Sequence, residues 1–129
     1  MVIDTSAIVA VLFDEPDRAH LDRLIRDDPT RLVSAVTRVE ATFVIEGRKR
    51  DAGCLRLERF FRLTGAEVLA VTVEQAELAC EAFRRFGKGR HPAALNIGDC
   101  FAYALAKATG EPLLFKGNDF ARTDIEKAG

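Results

Sequence analysis

Four acidic residues stand next to apolar segments of the chain, where a carboxylate is either a helix cap or a ligand. Asp4 follows the run MVI, Glu40 lies in VTRVEATFVIE, Asp99 in LNIGDCFAYALA and Asp119 in FKGNDF. Taken singly, Asp4 caps a helix, Glu40 forms a capping box with Thr37, and Asp119 is a surface acid in a turn. For Asp99 the capping explanation is weaker, because the nearby asparagine is an equally good cap and leaves the aspartate spare.

Gathered at one place, these carboxylates predict a site for a divalent cation. Like charges repel by about 1 kcal/mol per close pair even in water, and by more when they are partly buried. A cation among them removes that penalty. Ligands that are all oxygen, without histidine or cysteine, suit Mg²⁺ or Mn²⁺. Two such ions can activate a water and stabilise the leaving oxygen in phosphodiester cleavage, so Asp99 is predicted to be a metal ligand.

The elements that must position these acids are those of an α/β fold. Short apolar strands alternate with helices, which predicts a three-layer sandwich, a short parallel sheet with helices on both faces. Ligands of such sheets bind beyond the carboxyl ends of the strands. Asp4 directly follows the first strand and Asp119 follows the fourth by a few residues, so both belong at one edge if those strands are neighbours. Glu40 and Asp99 are expected to reach that edge from helices, with Glu40 facing inward.

The predicted elements cover residues 1–129 as a single domain, without a repeat, a low-complexity tract or a linker. Strands are predicted at MVI, RLVSAV, EVLAVT and PLLF. Helices are predicted from near Ser6 to before Pro16, over 17–27, 38–50, 53–64 and 74–86, around Asp99, and in a last turn over 119–127.

Composition limits the class of protein. A hydrophobic content of 48% with 30% charged residues is typical of a globular protein rather than a disordered chain. No apolar stretch approaches the roughly 18 residues that span a bilayer, and the start of the chain has no basic leader, so we expect no membrane association and a cytoplasmic placement. Three well-separated cysteines and two histidines disfavour a zinc site or a disulfide framework. All three cysteines (Cys54, Cys80 and Cys100) are predicted to be small buried hydrophobic residues.

Charge is distributed in blocks although the net charge is only −1. Residues 1–30 carry seven acids and three bases, residues 31–62 carry eight bases and four acids, and RRFGKGRH adds a further basic cluster. Such blocks are most often solvated faces, but they can also contact phosphates. The candidates for contacts with a nucleic-acid backbone are Arg84, Arg85, Lys88 and Arg90, and they would add salt-dependent affinity rather than sequence choice.

Four stretches taken together resemble the PIN-domain ribonuclease toxins of the VapC type. They are MVIDTSAIVAVLFDEPD, SAVTRVEATFVIE, LNIGDCFAYALA and PLLFKGNDF, in order from residue 1 to about residue 125. The resemblance implies an endoribonuclease that depends on Mg²⁺ or Mn²⁺, leaves 5′-phosphate and 3′-hydroxyl ends, and forms one half of a type II toxin–antitoxin pair. It implies that Asp4 and Asp99 are metal ligands and that Glu40 completes the acidic site.

The same resemblance implies supporting roles and shows one departure. Ser6 follows the D-[TS]-[SN] opening of the family and would hold Asp4 or a water, and Asn96 in LNxGD would orient the aspartate loop. Many members end the last strand with T-x-D-x-D-F, whereas Gly117 occupies the first of those acidic positions here. Asp119 must therefore stand in as the fourth carboxylate, or the site has three. Lys116 is either a contact for the scissile phosphate or an ordinary exposed lysine.

Partners also follow from the resemblance. It implies an RNA substrate, a homodimer, and a cognate antitoxin whose peptide covers the acidic groove, with operator DNA reached only through the antitoxin. The surfaces of the second predicted helix and of the 38–64 helical pair, near Phe43, Phe60 and Phe61, are expected to contribute to these contacts or to belong to the core.

Two other functions match part of the pattern. Phosphatases with an aspartyl nucleophile also place an Asp after the first strand, but they need a second acid two residues later, where this chain has Ser6. The other alternative is a catalytically silent domain that acts as a binding partner in an antitoxin–operator complex. The intact acidic set argues against it.

Overall fold

Four short parallel strands form the middle layer of the structure. The computed structural model describes residues 1–129. The sheet has the order β3-β2-β1-β4, with every neighbouring pair parallel. The strands are β1 (Val2–Ile3), β2 (Leu32–Ser34), β3 (Glu67–Leu69) and β4 (Leu113–Leu114). Because β1 and β4 are adjacent, the residues that follow them meet at one edge of the sheet. This is the condition under which Asp4 and Asp119 are expected to lie at a common edge.

Helices cover both faces of this sheet. They are α1 (Thr5–Leu12), α2 (Arg18–Asp27), α3 (Ala35–Thr64), α4 (Val73–Phe86) and α5 (Ile97–Thr109). In place of the predicted last helical turn over 119–127, the chain has a shorter 3₁₀ turn, Phe120–Arg122. None of the helices is long and apolar enough to cross a membrane.

The alternation of side chains along the strands builds two separate cores. Ile3, Val33 and Leu114 are buried against α1, α2 and α3. Val2 and Leu113, which point to the other face, are buried against α4 and α5. Successive strand residues face opposite sides of a sheet, so each core draws on more than one strand. The predicted three-layer sandwich is confirmed.

The predicted helices over 38–50 and 53–64 are joined without a loop in α3. The break is at Arg50, whose backbone angles (φ 52°, ψ −129°) are not helical. Just beyond it, a Cβ on Gly53 would lie 2.6 Å from the carbonyl oxygen of Ile45. The two halves of α3 therefore approach each other closely at a position that has room for glycine alone.

The start of α3 differs from the prediction. Ser34 is the N-cap, and its Oγ accepts a hydrogen bond from the backbone N–H of Val36 at 3.2 Å. The predicted capping box of Thr37 and Glu40 is wrong, because β2 ends directly in the helix and moves the cap three residues earlier. Thr37 is instead fully buried, and its Oγ1 has no hydrogen-bond partner. Glu40 is consequently free to bond elsewhere.

Burial corrects two of the three predictions for the cysteines. Cys100 is buried, but Cys80 is exposed and Cys54 is half-buried. Both exceptions lie on helix faces that no other element covers completely. Two phenylalanines of α3 differ in burial: Phe60 belongs to the core, whereas Phe43 is 75% exposed.

The kink in α3 predicts opposite effects for alanine at two glycines of the same helix. Gly53→Ala forces a methyl group against backbone atoms and should lower the free energy of unfolding by ~1–3 kcal/mol. At Gly47 a methyl group would meet no atom within 4 Å apart from the adjoining residues and backbone of its own helix, so Gly47→Ala should raise the free energy of unfolding by ~0.5–1 kcal/mol through helix propensity. Urea denaturation of both variants measures the difference, and equal effects would contradict the close approach of the two halves.

Candidate functional site

Asp4 lies at the junction of β1 and α1, and one of its two carboxylate oxygens caps the helix. Its Oδ2 accepts hydrogen bonds from the backbone N–H of Ser6 at 2.9 Å and from the Ser6 hydroxyl at 2.6 Å, so it caps α1. The Ser6 Oγ in turn accepts from the backbone N–H of Lys116 at 3.0 Å. Because Lys116 follows β4, this relay ties the end of β4 to the Asp4 carboxylate.

The second oxygen of Asp4 has no partner. The residue is 2% exposed, and its Oδ1 is buried without a hydrogen bond. Burial raises the pKa of Asp4, the bonds from Ser6 oppose that shift, and the charge of Glu40 adds to it. A buried polar atom without a partner is costly and rare. This oxygen is therefore the clearest sign of a ligand that the protein alone does not supply.

At the start of α5, Asp99 likewise has one carboxylate oxygen in a helix cap and the other outside it. Asn96 is the N-cap: its Oδ1 accepts from the backbone N–H of Asp99 at 2.9 Å. The Asp99 Oδ2 accepts from the backbone N–H of Asn96 at 3.0 Å, which completes a capping box. The expectation that Asn96 leaves Asp99 spare thus needs a correction, because only the Oδ1 of Asp99 lies outside the cap.

The pKa of Asp99 responds to the charges of the other three predicted acids. The residue is 8% exposed. Its pKa is raised to about 7, chiefly by burial; the charges of Asp4, Asp119 and Glu40 add to the rise, and the backbone hydrogen bond from Asn96 opposes it. The structure therefore brings the four carboxylates within electrostatic reach of one another, at the edge where β1 and β4 end.

Glu40 enters this cluster between the starts of α1 and α5. The hydroxyl of Thr5 donates a hydrogen bond to Glu40 Oε1. On the other side, a Cβ on Gly98 would lie 2.0 Å from Glu40 Oε2, so the carboxylate occupies the space that any side chain at position 98 would need. The sequence analysis does not predict a site role for Thr5 or Gly98. For Gly98, the sequence feature that points to such a role is a glycine in the first turn of a helix, next to an acid.

Asp119 is the most loosely held of the four acids. It is exposed, and although it is the N-cap residue of the 3₁₀ turn, its carboxylate accepts no capping hydrogen bond. Gly117, at the position where the family pattern has an acid, adopts a φ of 97°, which favours glycine. The chain after β4 therefore turns sharply before Asp119, and the charge of Asp119 still acts on Asp99.

Three of the predicted basic residues, Lys116, Arg85 and Arg90, contact acidic or aromatic side chains of the chain itself. The Nζ of Lys116 pairs with Glu15 at 2.8 Å and Asp17 at 3.2 Å, so its contact with the site runs through its backbone. Arg85 pairs with Asp124 at 3.5 Å, and the guanidinium of Arg90 lies 5.0 Å from the ring centroid of Phe83.

Two basic side chains and one histidine complete this region. Arg84 and Lys88 are exposed and form no ion pair within the chain. The Nδ1 of His91 accepts from the backbone N–H of Ala93 at 3.0 Å, and its ring packs edge-on against Phe86. His91 therefore has a structural role in the loop between α4 and α5.

The donor set fits a hydrated divalent cation. No three side chains converge closely enough in this structure to hold an ion by themselves. Mg²⁺, however, retains several waters and is usually bound through one or two carboxylates. An unpartnered Oδ1 on Asp4, the Oδ1 of Asp99 outside its cap and the nearby Glu40 carboxylate provide oxygen ligands of that kind.

The raised pKa of Asp99 predicts a specific dependence of stability on pH when divalent cations are removed. Between the ordinary value of 3.8 and about 7, the folded chain keeps a proton on Asp99 that the unfolded chain has lost. Stability should therefore fall as the pH rises through that window. Asp99→Asn retains a cap acceptor and removes this titration, so its unfolding free energy should fall less steeply. Urea denaturation in EDTA at several pH values tests this, and parallel curves for the two proteins would contradict it.

Comparison with known proteins identifies the family. A model of the PIN domain family matches residues 1–126. Ribonuclease VapC of Mycolicibacterium smegmatis is 50% identical over 125 residues, which cover 97% of each chain. Ribonuclease VapC30 of Mycobacterium tuberculosis is 48% identical over 125 residues, covering 97% of this chain and 95% of that one.

Solved structures agree on the fold. VapC20 of Mycobacterium tuberculosis, described as a sarcin–ricin loop cleaving toxin, has a TM-score of 0.77 at 18% identity and matches over 96% of this chain and 95% of that chain. A chain of VapBC2 from Rickettsia felis, bound to a DNA fragment from its promoter, has a TM-score of 0.75 at 15% identity, over 98% and 94%. The family match over nearly the whole length, together with relatives near half identity, shows that the chain belongs to the PIN domain family, among its VapC ribonucleases.

Proposed function

We propose that this chain is a Mg²⁺- or Mn²⁺-dependent endoribonuclease that hydrolyses RNA phosphodiester bonds as the toxin of a type II toxin–antitoxin pair in the cytoplasm. The observation that carries the proposal is the buried, unpartnered Oδ1 of Asp4, which lies within the charge cluster of Glu40, Asp99 and Asp119. The names of the relatives near half identity support the ribonuclease activity.

The proposed ligands for the ion are Asp4, Glu40 and Asp99, with Asp119 helping to place a second ion or the attacking water. A divalent ion bound to such carboxylates lowers the pKa of a water and stabilises charge on a leaving oxygen. Cleavage by water attack then leaves 5′-phosphate and 3′-hydroxyl ends. Because metal-bound carboxylates must be deprotonated, ion binding and the proton on Asp99 compete near neutral pH.

Neighbouring residues hold these carboxylates in position. Ser6 orients Asp4, Thr5 orients Glu40, and Asn96 orients Asp99. Arg84 and Lys88, which form no ion pair, are better placed than Arg85 and Arg90 to hold the RNA backbone. Lys116 takes part through its backbone N–H, which donates to Ser6 Oγ and so helps to position the hydroxyl that bonds Asp4, while its Nζ is paired with Glu15 and Asp17.

Two surfaces support protein partners, an exposed apolar face of α3 and a mainly polar cavity. Val39 and Phe43, four residues apart on α3, are 52% and 75% exposed, which favours a homodimer through this face. A cavity of about 720 Å³ between the end of α1, α2 and both halves of α3 is a proposed site for the antitoxin peptide. Solved toxin–antitoxin complexes of this fold, from Rickettsia felis and Klebsiella pneumoniae, support an antitoxin as a partner. Operator DNA would be reached only through that antitoxin.

Loss of RNA cleavage in Asp99→Asn tests the proposed function. The purified chain should cleave total RNA with Mg²⁺ or Mn²⁺ and not with EDTA, and Asp99→Asn should abolish the cuts. Thr5→Val removes only the bond that orients Glu40, so the rate should fall by about 10- to 100-fold. Asp51→Asn, a change of the same charge at an exposed acid in the kink of α3, should leave the rate unchanged.

Two results would contradict this account. Wild-type protein that binds the ion and the antitoxin without cutting RNA would favour the silent binding partner. Cleavage that persists in Asp99→Asn would show that this aspartate is only a helix cap.

A further inference from the structure

A second cavity, of about 520 Å³, lies between α4 and the start of α5, and the proposed chemistry gives its apolar walls no role. Eight of its eleven lining residues are apolar, and the others are Arg84, Lys88 and Asn96. We call it the α4–α5 groove. Volumes of about 300–1,000 Å³ with apolar walls and a few polar groups are typical of ligand sites.

The α4–α5 groove adjoins the acidic cluster. Asn96, which lines it, caps the helix turn that carries Asp99. Cys100, which also lines it, directly follows Asp99 in the chain. The wall of the groove and one carboxylate of the cluster therefore belong to the same turn of α5.

The α4 side of the groove carries one aromatic ring, that of Phe83. Phe83 is 42% exposed. Its ring packs against the backbone of Gly87, where a Cβ would lie 2.4 Å from Phe83 Cδ1. The guanidinium of Arg90 lies 5.0 Å from the ring centroid. The ring is thus fixed by its own neighbours while part of its surface remains open to a ligand.

The charge of the lining favours an anionic ligand. Its two ionisable lining groups other than thiols, Arg84 and Lys88, are basic, and no acidic residue lines the groove. Neither base forms an ion pair within the chain. An apolar floor for a planar group, beside two free cations for phosphates, matches one nucleotide of a single strand. Single-stranded RNA is recognised in this way, by stacking on aromatic and guanidinium planes with charge contacts to its backbone.

We propose that the α4–α5 groove binds an unpaired base of the RNA substrate next to the bond that is cut. The base packs against Phe83, while Arg84 and Lys88 hold the adjoining phosphates. The Oδ1 of Asn96 is occupied by the helix cap, so its amide N–H₂ is the group that donates to the base edge. The inference rests on the proposed function, and it makes this groove a determinant of which sequence is cut.

Cysteine labelling tests occupancy of the groove directly. Cys80 is exposed and lines the groove, whereas Cys54 is half-buried on α3 and lies outside it. With Asp99→Asn, so that the probe stays intact, saturating single-stranded oligouridylate or oligoadenylate should slow the reaction of Cys80 with N-ethylmaleimide by about tenfold. The rate at Cys54 should not change. An abasic oligomer of equal length and charge should protect Cys80 little.

A pair of phenylalanine variants tests the energetics. Phe83→Ala should weaken oligonucleotide binding and raise KM by about 5- to 100-fold through lost stacking, with a smaller effect on kcat. Phe83→Tyr should restore both. Val73→Ala, which removes an exposed apolar side chain at the start of α4 outside the groove, is the control.

The outcomes separate this inference from the proposed function. If wild-type protein cleaves RNA and Phe83→Ala cleaves it with the same KM and the same site preference, the groove does not hold a base. Equal protection by the abasic oligomer would also overturn the inference, as would protection of Cys80 by the antitoxin and not by RNA. If wild-type protein cleaves no RNA in the presence of metal, the proposed function itself fails.

Discussion

Crowding of carboxylates at one edge of the sheet is the constraint on which the site depends. Asp4 and Asp99 are both buried; the Oδ2 of Asp4 caps α1, and the Oδ2 of Asp99 completes the capping box that Asn96 begins at α5. These bonds fix the starts of the two helices, and a helix cap is typically worth about 1 kcal/mol. The same residues that assemble the edge therefore also bring negative charge into it, and the remaining oxygens are left for a ligand.

This division explains why the surroundings of the acids are so specific. Glu40 reaches Asp99 only because Gly98 has no side chain, and the hydroxyl of Thr5 holds the Glu40 carboxylate there. Without a cation, Asp99 holds a proton below a pKa of about 7, chiefly because it is buried and in addition because Asp4, Asp119 and Glu40 carry like charges. Any cation that enters the cluster competes with that proton for the same oxygens.

Much of this arrangement is predictable from the sequence because it follows from local pattern. Alternating strands and helices predict the parallel sheet, and acids placed just after strands predict a common edge. What could not be predicted depends on contacts between distant segments. The wrong capping box at Thr37 arose because the pattern does not show that β2 runs directly into α3. The exposure of Cys80 and the role of Gly98 depend on how α5 packs against α4 and α3, which no local spacing reports.

Proton release on metal binding shows whether the buried carboxylates at the sheet edge hold the ion. Calorimetric titration of Mn²⁺ in buffers of different ionisation enthalpy, at a pH about one unit below the Asp99 pKa of about 7, counts the protons displaced. If carboxylates crowded at the sheet edge hold the ion, wild-type protein should release most of one proton per site. Asp99→Asn should bind more weakly and release less. Tight binding without proton release in the wild type, or the same release from Asp99→Asn, would contradict the account.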